Sequence, residues 1–370
     1  MRRRNLFGSV AAGIVIVFAM AGCASGETDT DDTSPPDALS EGGITAELID
    51  RAQAEGELVL YHGTGESQTQ EWVSAFTDEY GISVVQHRDS SNPLWDRFVQ
   101  EQRAGQYLTD AIIINNVAQW NSGVEEGWIG HYVPGAGAGH DPEFAEEGYY
   151  YPLYVSMQAI GYNTDLVTAE EEAALQAEPL EALTDPVWRG RIAAATPYGS
   201  EHTTAMWYIV SDRLSDVYGE EWLQAFAAND PVLYDSSVPM TERLVAGEYA
   251  VTFANPDSLL APPYDNGAPI RWVYPEETVA LTWGVGLAEN APHPNAARLF
   301  MEWATTAEAN ESLAAATNGR PTHPDAEDPR TFIGEAWFQE SSELWNSWAT
   351  DETFAADRED FLARWDAHFQ

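Results

Sequence analysis

The run Ala111-Ile112-Ile113-Ile114 is unbroken apolar sequence, far too short to cross a membrane and without helical spacing, which leaves a strand buried on both faces. Such strands belong to parallel sheets covered by helices, and the preceding chain supplies the rest of one. Leu58-Val59-Leu60-Tyr61 and Ile82 to Gln86 read as two further strands. Between them Ser67 and Gln70 have capping-box spacing, and Trp72, Val73, Phe76 and Tyr80 share one helical face until Gly81. A helix from Pro93 to Ala104 turns Leu94, Phe98 and Val99 inward, and another from Ile44 to Ala54 ends before Gly56. This β-α-β-α-β order predicts an α/β fold with a doubly wound sheet, whose ligand crevice lies at the carboxyl ends of the strands.

A second α/β region follows. Ile192 to Ala195, Val232 to Tyr234 and Tyr249 to Phe253 read as strands, with a helix start at Thr203 to Val210 and another helix running from Ser236-Ser237 to Ala246-Gly247. The strand-like, aromatic stretches Tyr149 to Gly161 and Val279 to Ala288 fit crossovers between two lobes, and Pro294 opens a long amphipathic helix predicted to run to Asn318-Gly319. At 370 residues the chain exceeds a comfortable single core, in keeping with two lobes.

Composition removes several functions. All 17 basic residues are Arg, so a Walker phosphate loop, a Schiff-base lysine and a Ser-Lys dyad are excluded. A net charge of -43 repels nucleic acid and anionic lipid, and neither is expected as a partner. The acidity reads as a solubilising surface, with adaptation to high salt as the alternative. No His-Glu-x-x-His or Gly-x-Ser-x-Gly spacing occurs, no cofactor is expected, and the chain is not expected to be an enzyme. A hydrolase built on a Glu66/Asp257 carboxylate pair, or a structural surface lipoprotein, stands as the alternative of another class.

Arg2-Arg3-Arg4, the apolar run Leu6 to Met20 and Ala21-Gly22-Cys23 form a charged region, an apolar region and a small-residue cleavage site. This resembles a bacterial lipoprotein lipobox, which implies a signal peptide over 1–22, lipidation of Cys23, and a flexible tether over 23–43. With its one cysteine used as anchor, the folded part has none for disulfides, thiolate metal sites or nucleophiles.

Further signposts occur in order: Ala54-Glu55-Gly56-Glu57 before the first strand, Tyr80-Gly81-Ile82, Arg97 with Glu101 and Ala104-Gly105, Thr109-Asp110-Ala111, Gly161-Tyr162-Asn163-Thr164, Trp188-Arg189-Gly190-Arg191-Ile192, and Val245-Ala246-Gly247-Glu248-Tyr249. Over roughly 44–325 the chain resembles extracellular solute-binding proteins of ABC importers, in the branch that includes ferric-iron, polyamine and phosphonate binders. The resemblance implies a two-lobed periplasmic-binding fold of type II: lobe 1 from 44–153 plus 281–330, lobe 2 from 154–280 plus 331–370, joined by two hinge strands. It also implies an exported, lipid-anchored monomer on the outer face of the cytoplasmic membrane, a small-molecule or ion ligand, and a membrane permease as partner. The iron binders' tyrosine pair is missing, since Ala254-Asn255 is followed by Pro256-Asp257-Ser258, and Gly65 and Asn115 stand where the branch places His and Glu. Iron could then be held only at a non-tyrosine site.

The candidate ligand residues at the strand ends are Tyr61, Thr64, Glu66, Ser90, Ser91, Asn92, Asn115, Tyr154, Ser200, Ser237, Asn255, Asp257 and Trp283. Carboxylates and aromatics suit an organic cation stacked on Trp283 or Tyr61 and paired with Asp257 or Glu66. The hydroxyls of Ser90, Ser91, Ser200 and Ser237 would equally suit an oxyanion held by neutral donors. The aromatic tail from Phe332 to Phe369 reads as core packing, with permease docking as the alternative.

Overall fold

The computed structural model describes residues 42–137 and 148–370. The signal peptide, Cys23 and nearly all of the tether lie outside the described residues.

Helix α1 (Ala46–Glu55) starts at Thr45, whose hydroxyl accepts from the Leu48 N–H, and stops where Gly56 turns left-handed at φ 74°. It leads into β1 (Glu57–His62), α2 (Glu66–Tyr80), β2 (Ser83–Arg88), α3 (Ser91–Arg103), β3 (Ala111–Ile114) and α4 (Val117–Glu125). Strand β1 pairs in parallel with β2 and with β3, as the alternating pattern requires. Helix α2 begins two residues earlier than Ser67 as a cap would allow, with Gly65 at the cap position. Thr69 Oγ1 bonds back to the Gly65 carbonyl, and Ser67 Oγ donates to Gln68 instead of capping the helix.

Strand β4 (Tyr150–Asn163) is buried along its whole length. After it come α5 (Ala169–Ala177), α6 (Pro179–Ala182), β5 (Ile192–Ala195), α7 (Glu201–Tyr208), α8 (Gly219–Ala227), β6 (Val232–Tyr234), α9 (Ser237–Val245), β7 (Val251–Pro256), α10 (Asp257–Asp265), β8 (Ile270–Val273) and β9 (Glu277–Leu287). Strands β6 and β7 flank β5 in parallel, repeating the plan of the first half. The helix expected from Pro294 to Asn318 is two helices, α11 (Pro294–Ala304) and α12 (Ala307–Thr317). Thr305 ends the first, and Thr306 caps the second by accepting from the Ala309 N–H. The chain closes with β10 (Arg320–Pro321), β11 (Glu343–Trp345) and α13 (Glu352–Phe369).

The strands form one curled sheet in the order β2-β1-β3-β9-β4-β7-β5-β6, with β8 and β10 added on β4 and β11 on β9. Strands β4 and β9 run antiparallel to each other and join the two parallel halves. The N-terminal half of β4 pairs with β9, and Gln158 to Asn163 pair with β7 and β8. Each half has its own core: Trp72, Phe76, Phe300 and Trp303 in one, Trp207, Trp222, Phe226 and Phe253 in the other. The tail packs into the second, with Trp345, Trp348, Phe361 and Trp365 buried.

Candidate functional site

Six helices start where a parallel strand ends: α2, α3 and α4 after β1, β2 and β3, and α7, α9 and α10 after β5, β6 and β7. Strand direction alone therefore gathers the loops at the carboxyl ends of each half-sheet, and each loop leads into a helix N-terminus, the positive end of its dipole. Asn116 caps α4 by accepting from two N–H groups, and Ser200 caps α7. The N-caps of α2, α3, α9 and α10 make no side-chain cap bond, although Ser90 and Ser236 occupy two of them.

In the first half, Trp283 of β9 stands half-buried beside the β1–α2 loop. A side chain at Gly63 would come within 2.6 Å of Ser91 Oγ and 3.1 Å of Trp283 Cζ3, so Gly63, Ser91 and Trp283 meet at one point. Tyr154 stacks on Trp283, centroids 5.9 Å apart. Asn92 accepts from Gln119 Nε2 at 2.9 Å, tying α3 to α4. Ser90, Asn92 and Glu66 are exposed, and Asn115, directly after β3, is half-buried.

In the second half, a cavity of about 210 Å³ opens among Gly199, Ser200, His202, Asp235 and Ser237, with Pro256 and Leu259 closing one side. Ser200 Oγ lies 3.0 Å from His202 Nε2 and 2.6 Å from Thr203 Oγ1. Burial lowers the His202 pKa to about 4, so the imidazole beside Ser200 is neutral near pH 7.

Four predicted residues are turned to other work. Tyr61 is fully buried, donates from Oη to the Glu101 carboxylate at 3.0 Å, and carries the Arg97 guanidinium 4.8 Å above its ring. The cation on that ring is thus the chain's own. Asp257 is 1% exposed; its Oδ1 accepts from Ser156 Oγ at 2.8 Å and the Met157 N–H at 3.0 Å, its Oδ2 from Tyr274 Oη at 2.9 Å. Both carboxylate oxygens are engaged, Oδ1 binding α10 to β4 and Oδ2 to the residue that follows β8. Buried Asn255 accepts from Thr241 and donates to Thr252, and the Thr64 hydroxyl lies between His62 Nδ1 and Thr69. Sequence reasoning could not see these contacts, because the partners lie on other elements.

It also passed over Arg88. This residue ends β2, is exposed, and donates from Nε to the Thr64 carbonyl at a long 3.4 Å. Among the described residues it has no carboxylate within ion-pair distance, whereas most other arginines do. The available signal was its place directly before the Asp89-Ser90 loop. Among the described residues no group of three or more His, Cys, Asp or Glu side chains could hold a metal ion, and no helix is long and apolar enough to cross a membrane.

Two parallel half-sheets joined by two antiparallel strands, with helix starts collected at the strand ends, define the periplasmic-binding fold of type II. Solved structures carry the same frame. A substrate-binding protein of an ABC transporter from Agrobacterium tumefaciens superposes with a TM-score of 0.65 at 18% identity, over 85% of this chain and 94% of that one. Iron-bound HitA from Pseudomonas aeruginosa gives 0.64 at 15% identity, over 85% and 99%. AfuA from Actinobacillus pleuropneumoniae with fructose-6-phosphate gives 0.59 at 19%, over 85% and 98%. No curated protein matches the sequence significantly. The model of the bacterial extracellular solute-binding protein family matches residues 71–344, and the chain belongs to that family.

Proposed function

We propose that this protein is the solute-capturing component of an ABC importer, exported, lipidated at Cys23 and held at the outer face of the cytoplasmic membrane. It captures a small solute between lobes 44–153 plus 281–330 and 154–280 plus 331–370, and delivers it to a permease. The observation that carries this reading is that β4 and β9, paired with each other, link β3 of one half-sheet to β7 of the other. Two continuous strands can bend as a hinge while each lobe stays rigid.

The solute carries an anionic group. Of the groups a cation could use, Asp257 and Tyr61 are consumed by Ser156, Tyr274, Glu101 and Arg97, which leaves it only the exposed Glu66 and the half-buried Trp283. Arg88 is left without a carboxylate in a chain where acids outnumber bases 60 to 17, and the hydroxyls of Ser91 in the first half and of Ser200 and Ser237 in the second supply neutral donors. Trp283 offers a flat apolar face for the rest of the molecule.

The test is a thermal-shift and calorimetric screen of the chain from Ile44 against inorganic phosphate, hexose phosphates, phosphonates, polyamines and ferric citrate. Saturating ligand at 100 times its Kd adds about 2.7 kcal/mol to stability. Stabilisation by a phosphate or phosphonate supports both function and ligand class. Stabilisation by polyamines alone overturns the ligand class, and silence across the panel counts against solute capture.

A further inference from the structure

Helix α13 lies outside the residues that the family model matches, which end at 344. It nevertheless touches the loop between β5 and α7 at two points and the first residue of α7 at a third. Asp366 Oδ1 accepts from Tyr198 Oη at 2.7 Å. Trp365 meets the Tyr198 ring edge to face, with centroids 5.8 Å apart. Arg358 Nη2 donates to Glu201 Oε1 at 2.7 Å. These contacts bracket Gly199 and Ser200, which line the second-lobe cavity.

Tyr198 is 50% exposed, so its ring adds little to the core, yet its hydroxyl reaches across 168 residues to the last helix. Gly199 has no room to move inward, because even a Cβ there would lie 2.5 Å from the Asp235 carbonyl oxygen. The loop thus lies close against the Asp235 backbone and is also held by α13. Its anchor is firm: Trp365 is buried against Trp207 and Phe369, and Tyr208 Oη donates to Asp357.

We infer that α13 is a positioning element for the ligand cleft, with Asp366 and Arg358 acting through Tyr198 and Glu201 to place the Ser200 hydroxyl and the first N–H groups of α7. This rests on the reading of the cleft as the solute site. Ligands that differ in what they present to Ser200 are then discriminated by a helix that never touches them.

The experiment compares Tyr198→Phe, Asp366→Ala and Asp366→Asn in the chain from Ile44. Amide hydrogen exchange is followed over 196–204, with 236–241 on the far side of the cavity as internal reference, and affinity is measured for inorganic phosphate and fructose 6-phosphate. Tyr198→Phe and Asp366→Ala are expected to speed exchange over 196–204 about tenfold, leave 236–241 unchanged, and weaken the bound probe by a similar factor through faster dissociation. Asp366→Asn, which keeps an acceptor oxygen, restores both. Unchanged exchange over 196–204, or an equal rise across the whole second lobe, overturns the inference. If the wild-type chain binds neither probe, phosphate and hexose phosphate are ruled out as the solute, while the exchange result still decides whether α13 positions the loop.

Discussion

Tyr154 and Trp283 face each other across β4 and β9 in register and stack with their planes 13° apart, so the aromatic platform of the first lobe rests on both strands that join the lobes. On the function proposed above, a change in the angle between the lobes would be felt at this pair.

Replacing Trp283 by Ala removes the platform and uncovers Tyr154. The solute affinity should fall by at least tenfold, with a stability loss of about 1–3 kcal/mol from the lost ring packing. Trp283→Phe should retain most of both. Isothermal titration with the stabilising ligand, alongside urea unfolding, measures the two effects separately.

Arg88→Gln should weaken an anionic solute about tenfold or more and leave the melting temperature nearly unchanged, since the side chain is exposed and makes one long bond to the Thr64 carbonyl. Titration at two salt concentrations checks it: the wild-type affinity should fall with salt more steeply than that of the variant.

Asp257→Ala should cost about 2–4 kcal/mol, because it strands the Ser156 and Tyr274 hydroxyls and the Met157 N–H in the core. Asp257→Asn should cost less. Burial raises the Asp257 pKa, so its contribution to stability is greatest when protonated and is lost as pH rises through the raised value. Urea unfolding across the acid range should show that decline in the wild type and not in the Asn variant.

His62 and His202 both have their pKa values lowered to about 4 by burial. Each binds its proton more readily when unfolded, so the stability they contribute is complete above about pH 6.5 and is lost as pH falls through 4. The loss should approach ~3 kcal/mol per histidine at the acid limit. Substituting His62 by Gln should flatten part of the slope between pH 6.5 and 4 in denaturant titrations followed by Trp fluorescence.

Much of the frame was legible because it is written in local periodicity. Ile112 to Ile114 could only be a two-face-buried strand, Gly56 and Gly81 stop their helices at positive φ, and Trp72, Phe76 and Tyr80 share a buried face. The break at Thr305-Thr306 was not legible, since the apolar pattern runs through it and only the Thr306 hydroxyl marks the new cap. Among candidate site residues, Ser91, Ser200, Ser237 and Trp283 lie at the carboxyl ends of the half-sheets or beside them, where strand direction alone puts loops. Tyr61, Asn255 and Asp257 sit next to those positions in sequence but turn inward. A strand sends neighbouring side chains to opposite faces, and the end of a strand does not say which face is the core.

The sequence by itself determined the absence of every lysine chemistry and the alternation that makes two α/β halves, because composition and period are properties of the chain alone. Tertiary structure decided which polar groups remain available. Asp257 is satisfied by strand β4, about a hundred residues away, Tyr61 is capped by Arg97, and Arg88 is left without a carboxylate. Whether a charged side chain serves the fold or a ligand depends on the partners packed around it, and those are fixed only when distant segments meet.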